Sequence, residues 1–185
     1  MTIVLVGVIM REELDAKLVA KYPQIFKNRF GDMRETAMCW GFECGDGWYS
    51  IIDTLCGLMT SEYRHRKESY EFVKEIFDSG GKTMWGKDVT AAEVEEKRLA
   101  MEEACQQIPV AAQVKEKFGG LRFYVQAATE KHYNYITFAE SMSYRTCEVC
   151  GAPGKRYTDG WHQTLCEAHA AEQNREDREL GEYDE

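Results

Sequence analysis

The stretch Cys147-Glu-Val-Cys150, followed after residues 151–165 by Cys166-Glu-Ala-His169, decides the C-terminal part of the fold. Two ligand pairs at this spacing can close a tetrahedral site of three thiolates and one imidazole, a donor set that zinc favours. Because protein side chains fill all four positions, such a site stabilises structure and offers no open position for catalysis. We therefore predict one structural zinc ion bound by Cys147, Cys150, Cys166 and His169.

The residues around the second ligand pair favour a compact zinc-binding unit. Asp159-Gly160 is typical of a hairpin turn between two short strands. Helix-favouring residues from Glu167 onward place Cys166 and His169 in a first helical turn, where the helix dipole favours a thiolate. A tight turn, a hairpin and a helix that supplies the last two ligands resemble a treble-clef zinc finger.

The chain before the finger predicts an α+β body that is mostly helical. Apolar spacing predicts helices over 12–22, 48–59, 63–77 and 133–142, and Thr90-Ala-Ala-Glu93 is a capping box that begins a helix ending near 107. Alternating apolar residues on either side of Gly119-Gly120 predict a β-hairpin. The domain prediction is a body over 1–143 with a helical insertion at about 60–107, a finger over 144–171 and an acidic tail over 172–185.

Composition and charge exclude several classes of protein. The 185 residues include 23 Lys and Arg against 32 Asp and Glu, a net charge of −9. This balance argues against a general DNA-coating protein, which needs positive charge against phosphates. The apolar run Ile3–Met10 is far shorter than the roughly 20 residues that span a bilayer, so we interpret it as a buried strand or an extended arm. The odd number of cysteines, seven, rules out complete disulfide pairing and favours a reducing, cytoplasmic compartment.

Catalytic motifs are matched only in part. The segment from Ser79 to Thr83 resembles the end of a phosphate-binding loop, but Ile76 stands where that motif requires its first glycine. Asp159-Gly160-Trp161-His162 beside a Cys-x-x-Cys pair resembles an HNH-type nuclease, with Gly160 at the position of the catalytic histidine. We keep a degenerate nuclease and a nucleic-acid-associated regulator as alternatives.

Two groups of residues are candidates for binding. The glycine-rich segment Cys39–Trp48 predicts a structured loop in which aromatic and acidic side chains could anchor a partner, although the same rings could close the core and the acids could cap a helix. The hairpin carries basic residues that could meet an anionic ligand or simply face solvent. The candidates are Trp40, Glu43, Asp46, Trp48, Lys115, Lys117 and Arg122.

Four further cysteines leave two interpretations open. Cys39 and Cys44 could join Cys56 or Cys105 in a second metal site. The alternative is that they are free thiols, since unpaired cysteine is among the most buried residue types. The spacing of these residues is only weak support for the metal site.

Three parts of the chain together resemble a family of small uncharacterised proteins of bacteriophages and prophages. These are Cys39–Trp48, the string Lys-Glu-Lys-Phe-Gly-Gly-Leu-Arg-Phe-Tyr from Lys115 to Tyr124, and the terminal Cys/His set. The similarity spans about 12–58 and 110–170. The resemblance implies an accessory phage protein in the host bacterial cytoplasm, and it supplies no catalytic residues.

We therefore expect a non-catalytic, zinc-stabilised binding protein. Its expected partner is a host bacterial protein or an anionic small molecule, with nucleic acid and membrane not expected. Inhibition of host antiviral defence is the role that best suits a phage accessory protein.

Overall fold

The fold comes from a computed structural model that describes residues 9–173. Most of the predicted strand or arm at Ile3–Met10 and nearly all of the acidic tail at 172–185 lie outside the described residues. The described part is α+β, as the sequence predicts. Its helices are α1 (Glu12–Lys21), α2 (Tyr49–Met59), α3 (Ser61–Asp78), α4 (Ala91–Gln106), α5 (Glu130–Ser143) and α6 (Glu167–Glu172), and its strands are β1 (Phe42–Glu43), β2 (Val110–Lys117), β3 (Gly120–Gln126), β4 (Lys155–Tyr157) and β5 (Gln163–Leu165).

A three-stranded sheet in the order β1-β2-β3 forms one wall of the body. Strands β2 and β3 form the predicted antiparallel hairpin, and β1 pairs with β2 in parallel, with Phe42 opposite Val114. The segment Cys39–Trp48 was predicted to be a loop without regular elements. This prediction was wrong, since the segment contains β1 and two short 3₁₀ turns that flank it. A strand of two residues is too short to show a hydrophobic period, so only its long-range pairing defines it.

The turn of the β2–β3 hairpin consists of Phe118 and Gly119, one residue earlier than the glycine pair suggests. Both have positive φ, 55° and 79° respectively. Gly120 begins β3, and a Cβ atom there would lie 2.4 Å from the Tyr144 ring. Gly120 is therefore required for close packing of β3 against the end of α5, while Gly119 serves the turn.

The core of the body lies between this sheet and helices α1, α2 and α5. Trp48, Phe26 and Phe42 are its largest buried side chains, and the rings of Phe26 and Phe42 meet edge to face with centroids 5.0 Å apart. Such edge-to-face pairs add to the stabilisation that burial itself provides. The apolar spacing of α2 places Ile52, Leu55 and Met59 on its buried face.

Helices α3 and α4 form a helical arm, residues 61–106, that packs mainly on itself. Helix α3 has no buried side chain, and in α4 only Ala104 is buried. The capping box predicted at Thr90 is present, with the Thr90 hydroxyl and the Glu93 carboxylate each accepting from the other residue's backbone N–H. None of the helices within 9–173 is both long enough and apolar enough to cross a membrane.

The C-terminal finger has a small core of its own. Cys147, Tyr157, Leu165 and Ala170 are buried together. Strands β4 and β5 pair in antiparallel fashion, with Arg156 opposite Thr164. The observed order of a Cys-x-x-Cys turn, a hairpin and a helix is the treble-clef-like arrangement that the sequence predicts.

Candidate metal centre

The four predicted ligands lie together in the finger. The ligand atoms of Cys147, Cys150, Cys166 and His169 are all within 4.8 Å of one another. Cys150 Sγ is 3.8 Å from Cys166 Sγ, and His169 Nδ1 is 3.5 Å from Cys147 Sγ and 3.1 Å from Cys166 Sγ. A tetrahedral ion with metal–sulfur bonds of about 2.3 Å and metal–nitrogen bonds of about 2.1 Å gives edges of about 3.8 Å and 3.6 Å. The residues present therefore fit a tetrahedral metal ion.

Two local structures hold the ligand pairs. In the first, the N–H of Gly151 donates to the Cys147 carbonyl at 2.8 Å, and Gly151 has the positive φ, 78°, that this tight turn needs. In the second, Cys166 is the N-terminal cap of α6 and His169 lies in its first turn, as predicted. Both pairs thus depend on backbone geometry that is fixed within a few residues of the ligands.

The electrostatic surroundings of Cys166 differ from those of the buried cysteines of the body. The backbone N–H of His169 donates toward the Cys166 sulfur and is the main reason why the pKa of Cys166 falls to about 7. A thiolate is the form that binds metal, so this shift prepares Cys166 as a ligand. By contrast, burial raises the pKa values of Cys44 and Cys56 well above the usual thiol value.

A second metal site does not form in the described part of the chain. Among residues 9–173, the Cys147/Cys150/Cys166/His169 group is the cluster of metal-ligating side chains that the fold brings together. None of the seven cysteines, all of which lie within residues 9–173, forms a disulfide bond, and Cys44 and Cys56 are buried in the core of the body. Within the described residues Cys39, Cys44, Cys56 and Cys105 are not gathered into a metal-ligating group, and the interpretation of these four as free thiols stays a prediction.

Glu148, which sequence reasoning missed, joins the finger to the body. It lies between the first two ligands and is only 2% exposed. Its carboxylate accepts from the Gly45 N–H at 3.0 Å, its carbonyl accepts from the Gly47 N–H at 2.8 Å, and its own N–H donates to the Thr164 carbonyl at 2.9 Å. Burial raises its pKa to about 7. No local sequence pattern identifies Glu148 as an interface residue, because its partners in the body, Gly45 and Gly47, lie about a hundred residues away.

At Gly45 and Gly47 the body meets this turn with backbone rather than with side chains. A Cβ atom at Gly45 would lie 2.3 Å from the Glu148 carbonyl oxygen, and one at Gly47 would lie 2.1 Å from that of Cys147. Glycine at 45 and 47 therefore permits the close approach that the sequence suggested. We call this contact of residues 45–48 with residues 146–151 the seam.

Trp48 belongs to the seam and to the core, which corrects its prediction as a partner-binding residue. Its side chain is fully buried, and its indole N–H donates to the Thr146 carbonyl at 2.8 Å. Of the other members of the predicted aromatic–acidic group, Trp40 is exposed and both acids have partners within the chain. Trp40 is 58% exposed, Glu43 accepts from the Gln113 amide at 2.8 Å, and Asp46 forms an ion pair with Arg11.

The three basic candidates do form a surface. Lys115 and Arg122 are opposite each other across the hairpin, and Lys117 is two residues further along β2 on the same face. Each lies over or against an aromatic ring. The pairs are Lys115 with Tyr124 at 5.8 Å from nitrogen to ring centroid, Lys117 with Phe118 at 5.3 Å, and Arg122 with Tyr144, whose hydroxyl is 2.7 Å from the guanidinium.

The finger extends this surface with a residue that the sequence did not suggest. The guanidinium of Arg156 lies 5.3 Å from the centroid of the Tyr144 ring, so two arginines stack on one tyrosine. We call Lys115, Lys117, Arg122 and Arg156 with their rings the basic–aromatic face. This face extends from the body to the finger. Because Arg156 is far from the hairpin in sequence, the sequence alone does not predict that it joins the hairpin residues on one face.

Comparison of the chain with protein-family models, with curated proteins and with solved structures found no match. Interpretation of its function depends on the metal centre, the seam and the basic–aromatic face.

Proposed function

We propose that this chain is a non-catalytic binding protein whose finger is held in place by one zinc ion. The observation that carries the proposal is the closed Cys3His cluster, in which every tetrahedral position has a protein ligand. Zinc is the metal that suits three thiolates and one imidazole, and a site without an open position is structural. In this view the ion supplies folding free energy, and the finger in turn completes a binding surface.

The basic–aromatic face supports an anionic ligand. On a chain of net charge −9, four cationic side chains gather on one face with their charges held against rings. Side chains that are already ordered lose less conformational freedom when a ligand binds. We favour an anionic small molecule over a host protein for this face. We do not extend the proposal to nuclease activity, because Gly160 stands where a catalytic histidine would be required.

The proposed setting is the cytoplasm of a bacterium infected by a phage. This part depends on the resemblance of Cys39–Trp48 and Lys115–Tyr124 to phage and prophage proteins. We propose an accessory role there, with host antiviral defence as the expected target. Sequestration of an anionic signal or recognition of an anionic surface would both use the same face.

Native mass spectrometry of the protein expressed in a bacterium tests the zinc site. We expect one zinc per chain, and we expect Cys166→Ser to lose the ion and to unfold the finger, because metal binding supplies roughly 10–16 kcal/mol in sites of this kind. The matched control is Cys105→Ser in the body, which should keep the zinc. Full zinc content and an unchanged melting curve in Cys166→Ser would overturn the proposal.

A further inference from the structure

An unfavourable residue stands at the tip of the β2–β3 hairpin. Phe118 has a φ of 55°, a left-handed conformation that side chains with a Cβ rarely adopt. Two-residue hairpin turns of this kind favour Asn, Asp or Gly. Phe118 also gains little from burial, since 59% of it is exposed. Turn geometry and core packing do not account for a phenylalanine here, and most of its ring stays open to solvent, which motivates a search for a role of the exposed ring.

A second exposed aromatic residue lies beside Phe118. Phe118 and Trp161 both line a cleft of about 330 Å³, and Trp161 is 62% exposed. The ring of His162 meets that of Phe118 at an angle of 60°, with centroids 6.2 Å apart. Glu116, Lys117 and Gly160 complete the lining. We call this the hairpin–finger cleft, because its walls come from the β2–β3 turn and the β4–β5 turn.

The two walls of the cleft are held in a fixed relation. The Thr164 hydroxyl of β5 donates to the Gly119 carbonyl at 2.6 Å, and Thr164 is fully buried. A Cβ atom at Gly119 would lie 3.2 Å from Arg156 Cγ, so the turn packs directly on β4. The cleft is thus largely pre-formed, which is typical of small-molecule sites.

One cation and one acid, Lys117 and Glu116, line the cleft, and Arg156 lies next to it against His162. The Lys117 ammonium lies over the Phe118 ring, and Arg156 Nη2 is 3.0 Å from His162 Nδ1. The carboxylate of Glu116 accepts from the Gly119 N–H at 2.6 Å, so this acid is engaged by the turn itself. From Lys117 the basic–aromatic face continues along the hairpin. The cleft therefore combines aromatic walls with cations at one side.

We propose that the hairpin–finger cleft binds a nucleotide, with the base stacked on the rings of Phe118 and Trp161 and the phosphate at Lys117 and Arg156. Base stacking on exposed aromatic side chains beside basic residues is the common mode of single-stranded nucleic-acid recognition. A free nucleotide and a nucleotide within a single strand present the same chemistry. The inference rests on the proposed binding function and narrows it to one ligand class. The net charge of −9 disfavours duplex coating, but it does not act against a local site of this kind.

The test measures binding to the zinc-loaded full chain. The probes are ATP and inorganic triphosphate by calorimetry, and a labelled 12-nucleotide oligo-dA strand with its duplex form by fluorescence anisotropy. We expect ATP or the single strand to bind saturably, and triphosphate and duplex to bind at least tenfold more weakly. ATP binding alone identifies a free nucleotide, while tighter, salt-sensitive binding of the strand identifies single-stranded nucleic acid. Equal affinity for ATP and triphosphate would overturn the stacking role.

Variants keep the test independent of folding. Phe118→Asn removes the ring and places a residue that tolerates positive φ at the turn, so its melting temperature should be equal or higher. We expect Phe118→Asn and Trp161→Ala each to weaken binding at least tenfold. The matched control is Trp85→Ala, which removes a tryptophan that is 85% exposed on the turn of the helical arm. If both cleft variants bind the nucleotide probes as tightly as the parent chain does, or if the zinc-loaded parent chain binds neither probe, the nucleotide proposal is overturned. The proposed zinc-stabilised binding function would still stand. Hydrolysis of ATP or the strand would instead overturn the non-catalytic function.

Discussion

Gly47 offers the sharpest test of how finger and body are joined. A Cβ atom there would lie 2.1 Å from the Cys147 carbonyl oxygen and 2.5 Å from the Gly151 N atom. Both are backbone atoms of the ligand-bearing turn, so no rotation of a side chain can relieve the clash. The backbone of Gly47 lies outside the left-handed region, so Gly47→Ala adds a methyl group without conformational strain. The substitution therefore acts on the seam alone.

The expected loss follows from the contacts that the clash would separate. Three hydrogen bonds cross the seam, from Gly45 and Gly47 to Glu148 and from the Trp48 indole to Thr146. At about 1 kcal/mol for each of the two bonds to backbone carbonyls, and about 1–3 kcal/mol for a buried Glu148 carboxylate left without its Gly45 donor, the loss is about 3–5 kcal/mol. Small domains have total unfolding free energies of about 5–15 kcal/mol, so we expect a large fall in stability.

Urea unfolding of zinc-loaded protein, followed by circular dichroism, measures this loss. The matched control is Gly57→Ala on α2, where the nearest contact of a new Cβ is the Tyr22 hydroxyl at 3.4 Å. A glycine-to-alanine change inside a helix gains up to about 1 kcal/mol, so Gly57→Ala should be neutral or stabilising. If the unfolding free energy of Gly47→Ala lies within about 1 kcal/mol of that of the parent chain, the close backbone approach at the seam is refuted.

Two further predictions concern the body. His132 accepts from the Thr129 N–H at 3.2 Å, and burial lowers its pKa, so the unfolded chain takes up the proton first as pH falls. The unfolding free energy should therefore decrease below about pH 6.5, with a slope of at most about 1.4 kcal/mol per pH unit from this group. Urea titrations at pH 7.5 and 5.5 should show a smaller decrease in His132→Gln than in the parent chain. Equal slopes in His132→Gln and in the exposed-site control His65→Gln would count against this role of His132. Separately, we expect that a short Gly-Ser linker can replace residues 65–102 without loss of zinc or of the circular dichroism of the remaining elements. The reasons are that α3 buries no side chain, and that Tyr63 and Ala104 line one cavity at the base of the arm, so a short linker can join the two ends. Loss of the zinc on native mass spectrometry would contradict this independence of the arm.

Local patterns explain what the sequence could predict. The helices, the hairpin strands, the capping box at Thr90 and the four metal ligands each depend on residues within a few positions of one another. Periodicity and ligand spacing report such structures directly. The structure agrees with these predictions to within about three residues at the helix ends, which is the usual uncertainty of helix bounds.

Long-range contacts explain what the sequence could not predict. Strand β1 has two residues and is defined by pairing with Val114 and Lys115. The sequence left open whether Trp48 anchors a partner or closes the core, and its place in the body core with its indole bonded to the Thr146 carbonyl decides for the core. The side chains of Phe118 and Trp161 belong to turns that are far apart in sequence, so no spacing rule brings them to one cleft. One signal was present, since a phenylalanine before Gly119-Gly120 is an unusual turn residue.

The seam also sets an order of events during synthesis on the ribosome. The Trp48 indole and the Thr146 carbonyl that accepts from it are 98 residues apart. At about 5–20 residues per second, the residues around Trp48 emerge some 5–20 s before their partners exist. Throughout that interval one edge of the body has no covering, and the segment that covers it also carries the four candidate metal ligands. If zinc holds the finger in place, as proposed, a cell poor in available zinc would accumulate chains that remain open at this edge, where chaperones and proteases act.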